Sequence, residues 1–317
     1  MSTNPTNPNP SDLVREARDR GSLVVLDGAL GTELEARGCD LHDPLWSARV
    51  LVDEPDVVEA VHRDYLDAGA RVVTTASYQA TPLAMRARDL DERSALDLVA
   101  RSVRLADAAR RARLEARPDA APLLVAGSVG PYGGYLADGS EYRGDYELPH
   151  ADMLAFHRSR IAALADAGAD VIACETIPQL AEAKALLELV DELDVPAWFS
   201  FTLRDETHAS DGTPLADIAA LVDGHPNVLA VGVNCVPIER VAPALEALAA
   251  RTSTPLVAYP NSGEVYDGAT RTWRAAPSGG TLAARAEEWR GIGAVLVGGC
   301  CRTTPRDIAA LAIAARS

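Results

Sequence analysis

Short runs of apolar and β-branched residues alternate along the chain with longer stretches whose apolar positions recur at helical spacing. Eight runs are bounded by Gly, Pro or Asp: LVVLDG (23–28), RVVTTAS (71–77), LLVAGSVG (123–130), DVIACET (170–176), AWFSFT (197–202), VLAVGVNC (228–235), PLVAYPN (255–261) and AVLVGGCC (294–301). Several are nearly continuously apolar, as parallel strands covered on both faces are. Three joints share one form, DAGARVV (67–73), DAGADVI (166–172) and GIGAVLV (291–297), with a glycine placed to end a helix just before strand residues begin. Their irregular spacing marks a recurring helix-to-strand joint and not a solenoid repeat. The pattern predicts an α/β fold, a single (β/α)8 TIM barrel. A doubly wound sheet is the alternative, but its glycine-rich phosphate turn is missing after the first strand, where DGALGTEL stands. Residues 1–12 are expected to be a disordered N-terminal tail and residues 13–317 the barrel domain.

A length of 317 residues suits one such barrel, and 46 acidic against 30 basic residues give a net charge of -16. That field repels polyanions, which argues against nucleic acid and anionic membranes as partners. No apolar run approaches the roughly 18 residues of a membrane span, and the polar start lacks the features of a secretory signal. An odd set of five cysteines points to a reduced, cytoplasmic setting.

Barrel enzymes carry their chemistry at the carboxyl ends of the strands. There the sequence places Asp27, Thr75, Ser77 with Tyr78, Ser128, Glu175, Thr202, Asn234 with Cys235, Asn261, and Cys300 with Cys301. Long loops after the third, fifth and seventh strands are expected to cover the same mouth. Three cysteines on one rim suit zinc, with a fourth coordination position open to substrate. Core packing and a redox relay are the competing readings of the trio, and core packing is the expectation for Cys39 and Cys174. The vicinal arrangement of Cys300 and Cys301 argues against a structural disulfide. A zinc ion held by thiolates is suited to keeping a substrate thiol ionised. Asp27 and Glu175 are placed to converge on an ammonium, and the turn at Gly28 and Ala29 offers N–H groups to a carboxylate. The alternatives are a helix cap for Asp27 and a rim salt bridge for Glu175. An amino-acid thiol fits the first set of roles.

The segments LDGALGTEL, GSVGPYGGYLADGSEYRGDY, ACETIP, FSFTLRDETHASDGTPL, GVNC, YPNSGEVYD and GGCCRTTP resemble the homocysteine S-methyltransferases, in particular the bacterial and plant type that uses S-methylmethionine. The resemblance spans about residues 21 to 313. It implies a zinc-dependent barrel that converts homocysteine to methionine, with Cys235, Cys300 and Cys301 as zinc ligands. It further implies that Asp27 and Glu175 take the homocysteine amino group, that Gly28 and Ala29 bind its carboxylate, and that Tyr78 and Asn234 stand beside the site. A cationic sulfonium donor, S-methylmethionine or S-adenosylmethionine, makes Tyr78, Tyr132, Tyr135, Trp46 and Tyr259 candidates for cation–π contact. The betaine-using branch is a poorer match because it carries a C-terminal extension used in assembly. A monomer or small homo-oligomer is therefore expected. Rival readings are selenocysteine or another amino-acid thiol as acceptor, and a non-catalytic zinc- or thiol-binding barrel. An aldolase-type barrel would need Lys184 as its Schiff-base lysine, and that residue falls on a predicted helix.

Overall fold

A computed structural model of the chain describes residues 9–41, 47–86, 89–262, 265–267, 272–274 and 280–316. The barrel strands are β1 (Val24–Val25), β2 (Val72–Thr74), β3 (Leu124–Val129), β4 (Val171–Ile177), β5 (Ala197–Phe201), β6 (Val228–Asn234), β7 (Leu256–Tyr259) and β8 (Ala294–Val297). All pair in parallel in the order β1-β8-β7-β6-β5-β4-β3-β2. A bridge between Leu26 and Val72 brings β1 to β2 and closes the ring. This is the single (β/α)8 barrel, and the closure excludes an open doubly wound sheet. Gly69, Gly168 and Gly293 end their helices at φ 106, 96 and 124, as the three repeated joints predict.

Alternation along the strands divides the core in two. Leu124 and Ala126, Val171 and Ala173, Trp198, Val257 and Tyr259 pack inside the barrel, whereas Val125, Ile172, Cys174 and Phe199 face the surrounding helices. The same parity carried forward brings Ser128, Glu175 and Ser200 into the mouth. The apolar runs leave the ladder before they end, because their last residues bond across to neighbouring loops. After β8, for example, the N–H groups of Gly298, Gly299 and Cys300 donate to Ala258, Asp27 and Pro260 carbonyls.

Leu13, Val14 and Ala17 of the helix Pro10–Asp19 join Val24, Leu229 and Val295 in the inner apolar cluster. That helix begins at Pro10, with Asn9 Oδ1 accepting from the Ser11 N–H at 2.9 Å. Residues 10–12 are thus helical where a disordered tail was expected, because proline at the first position and an asparagine cap start the helix earlier than the apolar pattern does. Residues 1–8 lie outside the described residues. Among those described, no helix is long and apolar enough to cross a membrane.

Beyond β5 the loop forms a small hairpin, Leu203–Asp205 with His208–Ala209, and beyond β7 a second, Val265–Asp267 with Thr272–Arg274. The loop after β3 carries a short helix, Tyr132–Leu136, and a 3-10 turn, Ser140–Tyr142. The contribution expected of the rest of the 261–280 loop, and of Trp46, falls outside the described residues.

Candidate metal and substrate site

Cys235 follows β6 directly, and Cys300 and Cys301 follow β8 after two glycines. Their three Sγ atoms lie within 4.8 Å of one another. Cys301 Sγ is 3.7 Å from Cys235 Sγ, and Cys235 is joined to Cys300 as a disulfide with Cα atoms 5.5 Å apart. The expectation that the vicinal pair disfavours a disulfide is therefore corrected. Cys300 and Cys301 do not bridge each other, but the closed barrel brings Cys300 to a partner remote in sequence. Cys39 and Cys174 are buried in the outer core, as expected.

The loop after β7 holds both cysteine segments. Cys235 N–H donates to Tyr259 O at 3.2 Å, Cys300 N–H to Pro260 O at 2.7 Å, and Ser262 N–H to Cys301 O at 3.1 Å. Glycine at 298 is required by the crossing of β8 over the end of β1: a Cβ there would stand 2.6 Å from Leu26 Cβ and 2.7 Å from Asp27 O. Burial pushes the Cys301 thiol up to about 12, with the negative charges of Glu175, Glu141 and Glu35 adding to it. The neighbouring carboxylates thus add to the effect of burial in opposing ionisation of the Cys301 thiol. Once reduced, the soft donor set of three sulfurs fits a soft or borderline divalent ion.

Asp27 follows β1 and Glu175 lies near the end of β4, on the same rim as the cysteines. Asp27 accepts from the Thr74 N–H at 2.7 Å and from the Thr74 hydroxyl at 3.0 Å. It caps no helix, since the N-cap of Leu30–Ala36 is Ala29. Burial raises its carboxyl to about 7 in spite of the two Thr74 bonds, and the charge of Glu175 raises it further. Glu175 accepts from the Ser128 hydroxyl and bonds the Tyr259 hydroxyl, and burial raises it too. The rim salt bridge does not form: neither carboxylate has a cationic partner among the described residues. The two buried carboxylates thus lie in each other's field, and each prefers a nearby cation to its neighbour's charge.

The turn after Asp27 is tied to the cysteine loop. Ala29 N–H donates to Thr303 Oγ1 at 3.2 Å, Thr303 Oγ1 donates to Cys300 O at 2.6 Å, and the Tyr65 hydroxyl donates to Ala29 O at 3.0 Å. Of the two N–H groups expected to hold a carboxylate, that of Ala29 is therefore engaged within the protein.

The homocysteine S-methyltransferase family model matches residues 24–315. The homocysteine S-methyltransferase of Escherichia coli (strain K12) is 54% identical over 300 residues, covering 94% of this chain and 97% of that protein. The chain belongs to the homocysteine S-methyltransferase family. The crystal structure of the metallated form of the homocysteine methyltransferase MmuM from Escherichia coli superposes with a TM-score of 0.87 at 52% identity, covering 96% of this chain and 100% of that one. A selenocysteine Se-methyltransferase from Brassica oleracea var. italica is 41% identical over 308 residues, covering 93% of this chain and 89% of that protein.

In this methyltransferase the Tyr78 ring lies against Gly130 and Gly134, where added Cβ atoms would stand 2.6 Å and 3.1 Å from it. Its hydroxyl bonds the Thr176 side chain, and burial raises it well above the ordinary tyrosine value. Arg160, fully buried, donates to Tyr78 O at 3.1 Å and to Gly130 O at 2.6 Å, fixing both segments. Asn234 was expected to face substrate, but its amide is engaged elsewhere: Oδ1 accepts from the Thr176 N–H at 2.7 Å and Nδ2 donates to Thr176 Oγ1 at 2.8 Å. It braces Thr176, which has φ 62 and follows Glu175 directly.

Tyr132 and Tyr135, two of the candidates for cation–π contact, have aromatic neighbours. They pack with Tyr146 and Phe156 at centroid separations of 5.1 to 5.8 Å in tilted and edge-on contacts. Tyr259 holds Glu175 and accepts from the Trp198 indole N–H at 3.2 Å. Thr74, Tyr65 and Thr303 carry supporting roles that the sequence reading did not assign. Strand parity was the available signal for Thr74, while Tyr65 sits on a helix and had none.

Proposed function

We propose that this homocysteine S-methyltransferase binds Zn2+ through Cys235, Cys300 and Cys301 and transfers a methyl group from a sulfonium donor to homocysteine, forming methionine. The observation that carries the reading is the convergence of three sulfurs within 4.8 Å on the rim that also carries the buried pair Asp27 and Glu175. When bound, zinc supplies a Lewis-acidic centre that keeps the acceptor thiol ionised at neutral pH. Asp27 and Glu175 take the acceptor's ammonium, with Thr74, Ser128 and Tyr259 holding the two carboxylates in position. The Gly28 and Ala29 turn lies on the side of the acceptor's carboxylate. Tyr78, braced by Arg160 and Thr176, lines the donor's approach.

The acceptor sulfur attacks the methyl carbon, the carbon–sulfur bond of the sulfonium breaks, and its electron pair stays on a departing neutral thioether. Positive charge vanishes from the donor as this happens, which a mouth shielded from water favours. S-methylmethionine is the donor we assign first and S-adenosylmethionine second. A reduced cytoplasmic setting suits the thiol ligands, and we expect a monomer or small homo-oligomer.

Methionine formation from homocysteine, with S-methylmethionine, S-adenosylmethionine or betaine as sole donor and with or without a zinc chelator, tests the reading. Chelator-sensitive turnover with a sulfonium supports it; turnover with betaine alone overturns the donor, and full activity without metal overturns the zinc. Kinship with a selenocysteine Se-methyltransferase favours selenocysteine as a second acceptor, which competition between the two acceptors measures.

A further inference from the structure

The helices outside the barrel bury a chain of polar groups that methyl transfer itself does not touch. Glu182 on the helix Leu180–Glu192, and His157 and Arg160 on the helix His150–Asp166, are all 0% exposed. Arg160 Nη2 lies 2.8 Å from His157 Nδ1, and an arginine can only donate, so Nδ1 accepts. The ring proton therefore sits on Nε2 and is donated to Glu182 Oε1 at 2.7 Å. Burial lowers His157 below the ordinary histidine value, which keeps the ring neutral between the carboxylate and the guanidinium.

Both ends of this chain reach segments of the mouth. Arg160 Nη1 donates to Tyr78 O at 3.1 Å and Nη2 to Gly130 O at 2.6 Å. At the other end the Tyr132 N–H donates to Glu182 Oε1 at 2.7 Å and the Tyr146 hydroxyl donates to Oε2. Gln79 Nε2, one residue beyond Tyr78, donates to Gly134 O at 3.0 Å. From there the loop crosses the end of β4: its 3-10 turn Ser140–Tyr142 packs against that strand, and the Thr202 hydroxyl past β5 donates to Glu141 O at 2.8 Å. Gly130 leaves no room for a Cβ against the Tyr78 ring, so a shift of either backbone moves that ring too. Apolar side chains of similar volume pack two helices as well as a buried ion pair does. What they lack is the fixed direction of hydrogen bonds, and these bonds are spent on the mouth. Resting on the place of Tyr78 at the mouth in the reading above, we propose that Glu182 and His157 are positioning residues for methyl transfer: they orient the Arg160 guanidinium, which sets the Tyr78 backbone and with it the ring.

The test is steady-state methyl transfer from S-methylmethionine to homocysteine by the zinc-loaded enzyme, with rates referred to bound zinc. The variants are His157→Phe, His157→Gln, Tyr78→Ala and His157→Phe combined with Tyr78→Ala. His157→Phe leaves Arg160 without its acceptor and should lower kcat/KM about tenfold, the worth of one buried hydrogen bond left unmade. Glutamine offers an amide N–H to Glu182 and a carbonyl oxygen to Arg160, so His157→Gln restores most of that loss. In the Tyr78→Ala background the same His157→Phe change should cost less than about twofold, because its route to the site is already gone. Glu182→Gln keeps the size of the side chain, should lower kcat/KM in the same direction, and covers the case in which His157→Phe folds poorly. Unchanged kcat/KM in the folded His157→Phe and Glu182→Gln variants overturns the inference. A loss that adds fully to that of Tyr78→Ala also overturns it, by showing that the three buried side chains support the fold alone. Absence of turnover in the unmodified enzyme, or unchanged kinetics in Tyr78→Ala, instead overturns the reading of the mouth, and this inference with it.

Discussion

Replacing Asn234 by Ala removes both bonds that brace Thr176, those of 2.7 Å to its N–H and 2.8 Å to its hydroxyl. Asn234 is fully buried and Thr176 is 3% exposed, so water cannot take the vacated place without rearrangement. A buried N–H left without an acceptor costs about 1–3 kcal/mol, and the second bond adds about 1 kcal/mol. Thr176 also holds φ 62, a strained conformation for a β-branched residue that persists only while its surroundings enforce it. A stability loss of about 3 kcal/mol follows. For a chain of 317 residues, with an unfolding entropy of about 2.1 cal/mol/K per residue, that lowers Tm by about 4–5 °C. Thr176 follows Glu175 and bonds Tyr78, so relaxation of this turn disturbs both sides of the mouth. We expect a KM for homocysteine raised about tenfold, equivalent to about 1.4 kcal/mol, with zinc retained. Thermal unfolding and initial-rate kinetics on the same preparation measure both. An unchanged Tm together with an unchanged KM would refute the bracing role.

Serine in place of Cys235, Cys300 or Cys301 should abolish most bound zinc and nearly all methyl transfer, measured by metal analysis beside the assay; a fully active, metal-free variant contradicts the assignment. Asp27→Asn should weaken homocysteine binding while leaving zinc in place. The same variant reports on pH. Asp27 is raised to about 7 in the fold from 3.8, so the folded state holds this proton more tightly than the unfolded chain does. Its contribution is present at low pH and is lost as pH rises from about 4 to about 7, by up to about 4 kcal/mol. Urea midpoints across that window should fall more steeply in the unmodified protein than in the variant, and parallel curves would show that Asp27 does not titrate there. Gly130→Ala drives a methyl group to within 2.6 Å of the Tyr78 ring and should lower kcat/KM by displacing that ring. Normal kinetics in this variant would mean that the position of Tyr78 is unimportant.

Much of the architecture is local information. Glycines 69, 168 and 293 announce helix ends because few other residues adopt their positive φ cheaply, and apolar runs announce strands because both faces of a parallel barrel strand are covered. The rim location of Cys235, Cys300 and Cys301 follows from those runs alone, as do those of Asp27 and Glu175. What the runs do not carry is which neighbour each polar group finds. Asn234 has the composition of a binding residue, yet its amide is used on Thr176 at a sequence distance of 58. Tyr132 and Tyr135, read from sequence as rim aromatics, meet each other and Phe156 in an aromatic cluster.

The order and number of elements were thus determined by periodicity and by the conformational limits of glycine and proline, which act within a few residues of themselves. The partners of Asp27 and the pairing of Cys235 with Cys300 were decided only when the barrel closed. Hydrogen bonds and charges act over a few ångströms in space, and residues far apart in the sequence become neighbours through the tertiary fold.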